Sequence, residues 1–302
     1  MIDWGIPSVI ANPVAGRHAA AKTLSHARRL FGQMGIRDIL VTRAAGDEET
    51  LVTSAIGRGV RSFIVLGGDG TCSKVANAIL GSGLDCSLAV VPTGTGNDFA
   101  KTLGVAALSL EHAADVATRG VVARIDVGII DGSYFLNSCG FGFDASVLDA
   151  SNRVRLLKGN AVYIYSALRQ LFTYVGVEVR AAGTAGVQGG RMLMITVSNG
   201  QFLGGAFRIA PRASVLDGRL DACLFADVNV LERVKLFAGA LRGTHVGMVG
   251  VQSVGIQRLT LAFPSPPQME VDGELRLAGG MSVEVRCVPR ALTVVAARGA
   301  LR

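Results

Sequence analysis

The sequence predicts two domains with a cleft between them: an N-terminal α/β domain built on a parallel sheet, and a C-terminal domain that is mainly an antiparallel β-sandwich. The chain has 302 residues, of which 50% are hydrophobic and 18% charged, so it buries a large core. Its first part alternates short apolar runs with helical patterns. Its second part changes to period-two segments separated by glycine turns, which are typical of antiparallel strands.

The first part contains successive strand-and-helix pairs. In chain order, each apolar run is followed by a helical pattern: "SVIANP" by "AAAKTLSHARRLFGQMG", "DILVTR" by "EETLVTSAIGRG", "SFIVLGG" by "DGTCSKVANAIL", and "SLAVVP" by "DFAKTLG". Strands that alternate with helices in this way form a parallel sheet covered by helices.

The second part reads as a series of antiparallel strands interrupted by two helices. The strand patterns are "IDVGIIDGSYFLNS", "VGVEVRAAG", "RMLMITVSNG", "RLDACLFAD", "QRLTLAF", "QMEVDGELRL" and "MSVEVRCV". The helical patterns are "VRLLKGNAVYIYSALRQLFTYV" and "VNVLERVKLFAGALRG", with Asp227 at the expected N-cap of the second. We place the first domain at 1–124, with a returning segment at about 290–302, and the second at 125–289.

Composition excludes several classes of protein. No apolar stretch approaches the roughly 18 residues of a membrane-spanning helix, and the first residues do not resemble a signal peptide. The five cysteines are widely scattered, with no zinc-like spacing, which favours buried thiols. We therefore expect a cytoplasmic protein.

The net charge of +7 lies mostly in the second part. Residues 1–124 carry 12 basic and 10 acidic side chains, a balance of +2, and residues 125–302 carry 18 and 13, a balance of +5. Nucleic-acid binders usually combine clustered cations with aromatics, and aromatics are only 6% here. An anionic membrane surface explains the charge, and no nucleic acid partner is expected.

Glycine-rich turns follow three of the predicted parallel strands. "GGDGT" (Gly67, Gly68, Asp69, Gly70, Thr71) and "GTGND" (94–98) each lie between a strand and a helix, and "NPVAGR" (12–17) follows the first strand. Backbone N–H groups at such turns bind phosphate, although glycines needed only for a tight turn would give the same pattern. Three polar turns at one sheet edge favour a phosphate site.

Together these stretches resemble the diacylglycerol kinase catalytic family, which includes sphingosine, ceramide and bacterial lipid kinases and is distantly similar to NAD kinases. "NPVAG", "GGDGT" and "PTGTGNDFA" match its nucleotide blocks, with Ala15 in place of the common serine. "CGFGFDASV", "APRASVLDGRLD" and "EVDGE" match its later blocks. The resemblance runs almost end to end, and GGDGT combined with GTGNDFA and the late DGE is highly specific.

The resemblance implies an enzyme that uses ATP as phosphoryl donor and Mg²⁺ as cofactor. Phosphoryl transfer depends on held phosphates, charge neutralisation and a base beside the acceptor hydroxyl. By similarity, the nucleotide would contact Asn12, Arg17, Thr42, the loop Gly67 to Thr71, Thr95 and Asn97. The negative charge of Asp69 would then be balanced through Mg²⁺ and water, or by Arg17.

The resemblance also assigns a metal ligand and a catalytic base. Asp217 would bind Mg²⁺ together with the backbone carbonyls of Ser214 and Arg219, although an isolated Asp-Gly pair is also a common β-turn. Glu274 would be the general base with Asp272 as an orienting or metal-linked neighbour, although this segment also fits a simple hairpin.

A membrane acceptor implies apolar surfaces. "RVRLLKGNAVYIYSALRQLFTYV" places Arg153, Arg155 and Lys158 before an apolar, aromatic helix, which suits an anionic interface as well as it suits a packed helix with a solvated end. In "GQFLGGAFRIAPRA", Phe202, Leu203 and Phe207 fit either a mobile lip for acyl chains or ordinary core.

The leading interpretation is a lipid kinase that converts diacylglycerol to phosphatidic acid at the inner face of the membrane, in phospholipid biosynthesis. Phosphatidylglycerol, ceramide and sphingoid bases remain alternative acceptors. An NAD-kinase-like activity accounts for GGDGT but not for the later blocks, and a silent nucleotide- or lipid-binding protein is the non-enzyme alternative. An exposed apolar edge would serve a homodimer or a membrane contact.

Overall fold

The computed structural model of the protein describes residues 4–13, 19–44, 46–153, 160–182 and 189–301. Its contacts divide the chain into two compact units. Unit 1 comprises 1–126 together with 290–302, and unit 2 comprises 127–289. The predicted fold class, an α/β part followed by a mainly antiparallel β-sandwich, is confirmed.

Unit 1 is a parallel sheet covered by helices, in the strand order β2, β1, β3, β4, β15. Its strands are β1 (Ser8–Ala11), β2 (Ile39–Val41), β3 (Ser62–Gly67), β4 (Ser87–Pro92) and the end of β15 (Ser282–Ala296). Its helices are α1 (Ala19–Gln33), α2 (Asp47–Gly57), α3 (Asp69–Gly81), α4 (Asp98–Thr102) and α5 (Leu110–Arg119). The central strands β1, β3 and β4 are almost entirely buried, as continuous apolar runs predict.

Unit 2 is built from antiparallel strands around a sandwich core. One run of paired strands has the order β14, β13, β7, β9, β10, β11, and β8 pairs with both β9 and β12, which pairs with β15. The remaining strands are β5 (Val121–Ile130), which begins in unit 1, β6 (Ser133–Phe135), β7 (Ser138–Gly142), β8 (Val177–Ala182), β9 (Gly190–Ser198), β10 (Leu220–Ala226), β11 (Val251–Ile256), β12 (Arg258–Ala262), β13 (Gln268–Val271) and β14 (Glu274–Leu277).

Two Asp-Gly turns fix hairpins of unit 2. Asp131 and Gly132 join β5 to β6, and Asp272 and Gly273 join β13 to β14. All four residues have positive φ, which is the conformation that a two-residue hairpin turn of matching twist requires. The register of both hairpins is therefore set by local sequence.

Three helices form a second core on unit 2: α6 (Phe143–Arg153), α7 (Asn160–Thr173) and α8 (Val230–Arg242). The pattern analysis predicts no helix over α6. The expected N-cap Asp227 is wrong: Asn229 caps α8 by accepting a hydrogen bond from the Glu232 N–H. Asp227 instead pairs with Arg191 and Arg233.

His245 is fully buried in this second core. Its ring stacks on Phe225, and its Nε2 atom lies 2.9 Å from the carbonyl oxygen of Ile209. Burial lowers the pKa of the His245 imidazole because the charged form loses its hydration. The native state therefore holds this histidine neutral.

All five cysteines are also buried, as expected.

We expect His245 to make unit 2 less stable in mild acid. The unfolded chain binds a proton at this residue near pH 6.5 and the folded chain does so only at lower pH, so stability present above pH 6.5 is lost as the pH falls. Between pH 7.5 and 5.5 the loss is roughly 1 kcal/mol. Urea unfolding of the wild type and of His245→Gln at both pH values measures it, and an equal pH dependence in the two proteins would contradict the assignment.

Candidate active site

The carboxyl ends of the parallel strands of unit 1 bring polar residues to one edge. In the register of the sheet, Ala11 lies beside both Val41 and Leu66, and Gly67 lies beside Pro92. The next residues along these strands are Asn12, Thr42, Gly68 and Thr93. Ligands bind at this edge in open α/β sheets.

The two glycine loops at this edge are in direct contact. A Cβ atom at Gly94 would lie 2.6 Å from the Cα atom of Gly68, and one at Gly67 would lie 2.8 Å from the Cβ atom of Thr71. Because no side chain fits at Gly67 or Gly94, backbone atoms form the surface of both loops at these positions. No side chain caps α3 at Gly68, so no capping group competes with an anion for the N–H groups of its first turn.

Two buried polar atoms of the second loop have no hydrogen-bond partner within the described residues: Thr93 Oγ1 and Asn97 Oδ1. Asn97 has positive φ and donates its side-chain N–H to the carbonyl oxygen of Gly94, while Thr95 is exposed on the same loop. Buried polar atoms are rarely left unpaired, so a polar ligand or water is expected at this loop.

Asp69 is bonded to the second loop. Its carboxylate accepts a hydrogen bond of 2.9 Å from the Phe99 N–H. Burial, and then the charge of Asp98, raise the pKa of the Asp69 carboxyl. Lys101 lies 2.7 Å from Asp98 and supplies positive charge that the sequence analysis missed. Arg17, the predicted partner, lies outside the described residues.

Glu48 is a fully buried carboxylate that the sequence analysis also missed. The Asn12 side-chain amide donates to Glu48 Oε1 at 3.3 Å and to Thr71 Oγ1 at 3.1 Å, and Glu48 Oε2 accepts the Gly46 N–H. Glu48 therefore orients Asn12 at the sheet edge. Thr42 is buried alongside and bonds to the backbone of Ala11. The acidic start of the "DEET" helix was the only sequence signal.

In unit 2, Asp272 is buried at the turn between β13 and β14. Its carboxylate accepts backbone N–H bonds from Leu136, Asn137 and Ser138 at 2.8, 2.8 and 3.2 Å. The hairpin is thereby fixed to the segment that leads into β7.

Glu274 follows on the same hairpin and is partly exposed. Arg276 Nη2 lies 3.1 Å from Glu274 Oε2, and Arg276 Nη1 donates to Ser133 Oγ at 2.8 Å. The Arg276 side chain thus holds the Glu274 carboxylate beside the β5–β6 turn. Such a carboxylate is able to accept a proton from a hydroxyl placed within hydrogen-bond reach.

Unit 2 also buries a pair of carboxyl groups, Asp144 on α6 and Glu270 on β13. Burial, and then the Asp144 charge, raise the pKa of Glu270 well above its usual value. Two like charges in a dry site repel each other, which favours the protonated form of Glu270. The sequence did not indicate this pair, because the two residues are 126 positions apart.

An apolar cavity of about 50 Å³ lies between β9, β10 and the helices of unit 2. Leu203, Phe207, Phe225 and Leu236 line it, and Asp144 is one of its few polar neighbours. Leu203 and Phe207 are buried and exchange backbone hydrogen bonds. The cavity is large enough for a few methylene groups and not for a whole acyl chain.

The predicted metal ligands share one turn in unit 2. Asp217 Oδ1 accepts the Arg219 N–H at 3.0 Å, and Ser214 Oγ accepts the Leu216 N–H. Burial, and then the charge of Asp217, raise the pKa of Asp221 to about 6. The described residues contain no group of three His, Cys, Asp or Glu side chains that would hold a metal on their own. A carboxylate, a second carboxylate and nearby carbonyls still suit a hard cation with water ligands.

Two family models match the chain. Residues 7–130 match the model described as the diacylglycerol kinase catalytic domain. Residues 137–296, more than half of the chain, match the model described as the YegS C-terminal NAD kinase beta sandwich-like domain. The predicted family is thereby confirmed.

Curated relatives carry kinase names. The chain is 29% identical to "Diacylglycerol kinase" of Bacillus subtilis over 275 residues, which cover 90% of each chain. It is 31% identical to "Probable lipid kinase YegS-like" of Pseudomonas syringae pv. syringae over 224 residues, covering 73% of this chain and 70% of the relative. A solved structure of a diacylglycerol kinase from Bacillus anthracis shares the fold, with a TM-score of 0.76, 20% identity and full coverage of both chains.

Glu48 offers a direct test of the sheet edge of unit 1. We expect Glu48→Ala to weaken ATP binding about fivefold to tenfold, because Asn12 loses a charge-assisted hydrogen bond of about 1 kcal/mol or more. Calorimetric titration with ATP measures the affinity. Glu48→Gln keeps an acceptor oxygen and should recover most of it. Glu49→Ala, an exposed carboxylate on the same helical turn, is the matched control, and equal affinity in the two alanine variants would exclude the role.

Proposed function

We propose, from the premise that the chain belongs to the diacylglycerol kinase catalytic family and is a lipid kinase, that it transfers the γ-phosphate of ATP to a hydroxyl of diacylglycerol. The hydroxyl oxygen forms a bond to the γ-phosphorus as the bond from that phosphorus to ADP breaks, and the hydroxyl proton leaves to a base. The observation that carries the proposal is the edge of unit 1, where two contacting glycine loops present backbone N–H groups and unpaired polar atoms.

In this proposal the glycine loops and α3 bind the nucleotide phosphates. Phosphates fit the uncapped start of α3 because its free N–H groups and the helix dipole both favour negative charge. Thr93, Thr95 and Asn97 supply further hydrogen-bonding groups, and Asn12 is held in place by Glu48. Arg17 remains a proposed phosphate ligand on sequence grounds.

We assign Glu274 as the general base and Asp272 as the residue that fixes its position. Three backbone N–H bonds engage the buried carboxylate of Asp272, so it fixes the hairpin. Glu274 is partly exposed, and its ion pair with Arg276 orients its carboxylate. The two acids therefore have different roles because their surroundings differ.

Bound Mg²⁺ would neutralise phosphate charge during the transfer. Asp217, with the carbonyls of Ser214 and Arg219, is the proposed protein site, and the closeness of Asp221 supports it because a cation relieves the repulsion between two carboxylates.

The apolar cavity of unit 2 supports a lipid acceptor. Apolar side chains line it almost completely, so an acyl chain gains by entering it while a soluble nucleotide does not. Its present volume admits only part of a chain, so the remainder must lie elsewhere or the cavity must widen. The acceptor itself resides in a membrane, and within the described residues no helix has the length and apolar character needed to cross one. We propose that the enzyme acts transiently at the inner, anionic membrane face.

Transfer of label from γ-labelled ATP tests the whole proposal. With Mg²⁺ and mixed micelles of diacylglycerol, phosphatidylglycerol, ceramide or a sphingoid base, and with NAD as a soluble acceptor, we expect label in diacylglycerol. Glu274→Gln should lower turnover about 10²-fold to 10⁴-fold, because a general base contributes that much, with ATP binding nearly unchanged.

Asp217→Ala should lose turnover, with partial recovery at high Mg²⁺ concentration. The matched control is Glu284→Gln, a half-exposed carboxylate on β15, which should keep normal turnover. Label in another lipid would replace the acceptor, and label in NAD would overturn the lipid assignment. Bound ATP with no label in any acceptor would indicate a silent nucleotide-binding protein.

A further inference from the structure

Helix α7 presents large apolar side chains to solvent along one line. Tyr165, Leu168 and Phe172 follow at spacings of three and four residues, which places them on one face of the helix, and Val175 lies just beyond the end of the helix at Thr173. Phe172 is 64% exposed and Val175 is 65% exposed. The opposite face of α7 is buried in the helical core through residues such as Ala167 and Leu171. The packing of α7 against unit 2 therefore does not account for these exposed apolar side chains.

The first turns of α8 continue this apolar surface. Val230, Leu231 and Val234 are exposed, and Leu231 reaches 75%. Arg233, on the same turn, donates to the carbonyl oxygens of Leu171 and Tyr174 and so links the start of α8 to the end of α7. We call the exposed side chains of Tyr165, Leu168, Phe172, Val175, Val230, Leu231 and Val234 the docking face. Exposed apolar residues grouped in this way mark interaction sites.

The charge around α7 indicates the kind of partner. From residue 150 to residue 177 the sequence has no aspartate or glutamate, and it has four cations, Arg153, Arg155, Lys158 and Arg169. Arg169 is exposed on α7 itself. The structure describes neither Arg155 and Lys158 nor the Arg153 side chain, but all three precede the helix by a few residues. A cationic, acid-free segment with exposed aromatics is attracted to anionic lipid headgroups.

We propose that the docking face is the surface by which unit 2 binds an anionic bilayer, with the apolar side chains inserted at the headgroup level and Arg169 on the lipid phosphates. The inference rests on the proposed function for its lipid acceptor, and it adds which segment meets the membrane. A second copy of the chain is the competing occupant. The segment 150–177 carries only positive charges, and the Glu232 carboxylate next to Leu231 on α8 is paired with Lys235, so the net charge around the docking face is positive. A positively charged face repels its own copy and attracts an anionic sheet.

Vesicle co-sedimentation tests the proposal without requiring turnover. We expect the full chain to bind phosphatidylglycerol vesicles more tightly than phosphatidylcholine vesicles, and less as NaCl rises from about 0.05 to 0.5 M, because salt screens the attraction. Phe172→Glu and Leu231→Glu should each lower the partition coefficient about tenfold or more, since each removes one large inserted side chain. Arg169→Glu should lower it mainly at low salt.

Met281→Glu is the matched control. Met281 is 57% exposed on the turn between β14 and β15, away from α7 and α8 in the sequence, and its variant should bind vesicles like the wild type. The unfolding midpoint of each variant is compared with that of the wild type to exclude misfolding. Loss of vesicle binding by a variant that stays folded supports the docking face. Equal vesicle binding by Phe172→Glu, Leu231→Glu and the wild type would overturn the proposal, as would a concentration-dependent dimer that both glutamate variants abolish.

Turnover separates this inference from the proposed function. With a short-chain diacylglycerol dispersed below its micelle concentration, Phe172→Glu should match the wild type. With a diacylglycerol acceptor in anionic vesicles, the turnover rate of Phe172→Glu should be about tenfold lower than that of the wild type. Loss with both acceptors would contradict a docking role. Vesicle binding without any turnover would leave the docking face in place and reject the kinase proposal.

Discussion

The arrangement of the β13–β14 hairpin and the start of β7 in unit 2 depends on one buried carboxylate, Asp272. It sits in a left-handed conformation at a two-residue turn, and it accepts three backbone N–H groups from the segment ahead of β7. Charge-assisted bonds of this kind are among the strong ones, and breaking them would leave a charge buried without partners. Asn199, the residue after β9, donates a further hydrogen bond from its side-chain amide to the carbonyl oxygen of Leu136. The position of Glu274, two residues beyond Asp272, follows from these contacts.

Much of this architecture could be predicted because it is encoded locally. The parallel strands of unit 1 are buried on both faces and read as continuous apolar runs, and the glycine loops between strand and helix are visible in the sequence. The hairpin at Asp272 and Gly273 was one of the two interpretations of that segment, since only a few residue types accept positive φ at both turn positions. The misplaced N-cap at Asp227 shows the limit of local patterns. The Asp227 carboxylate pairs with Arg191 on β9, 36 residues earlier in the sequence, and with Arg233 on α8.

What the sequence could not indicate depends on contacts between distant residues. Glu48 looks like an ordinary acidic residue in the first turn of a helix, and the packing of α2 against β1 brings it to Asn12. Asp144 and Glu270 meet because β7 and β13 pair, which places Gly140 opposite Glu270. A Cβ atom at Gly140 would lie 2.0 Å from Asp144 Oδ2, so glycine is required there for the carboxyl group to fit. Pattern reasoning has no access to such pairs.

The two units share a feature that folding alone does not favour. In unit 1, Thr93 and Asn97 leave buried oxygens without hydrogen-bond partners in the described structure, and in unit 2 Asn137, Ser138 and Ser198 do the same around the Asp272 turn. Each such group costs about 1–3 kcal/mol if it stays dry and unpaired. Alanine or valine at these positions would avoid the free-energy cost of an unpaired polar group. Their presence is better explained by ligand or water that completes the bonds, because functional sites are where a fold departs from its own stability rules.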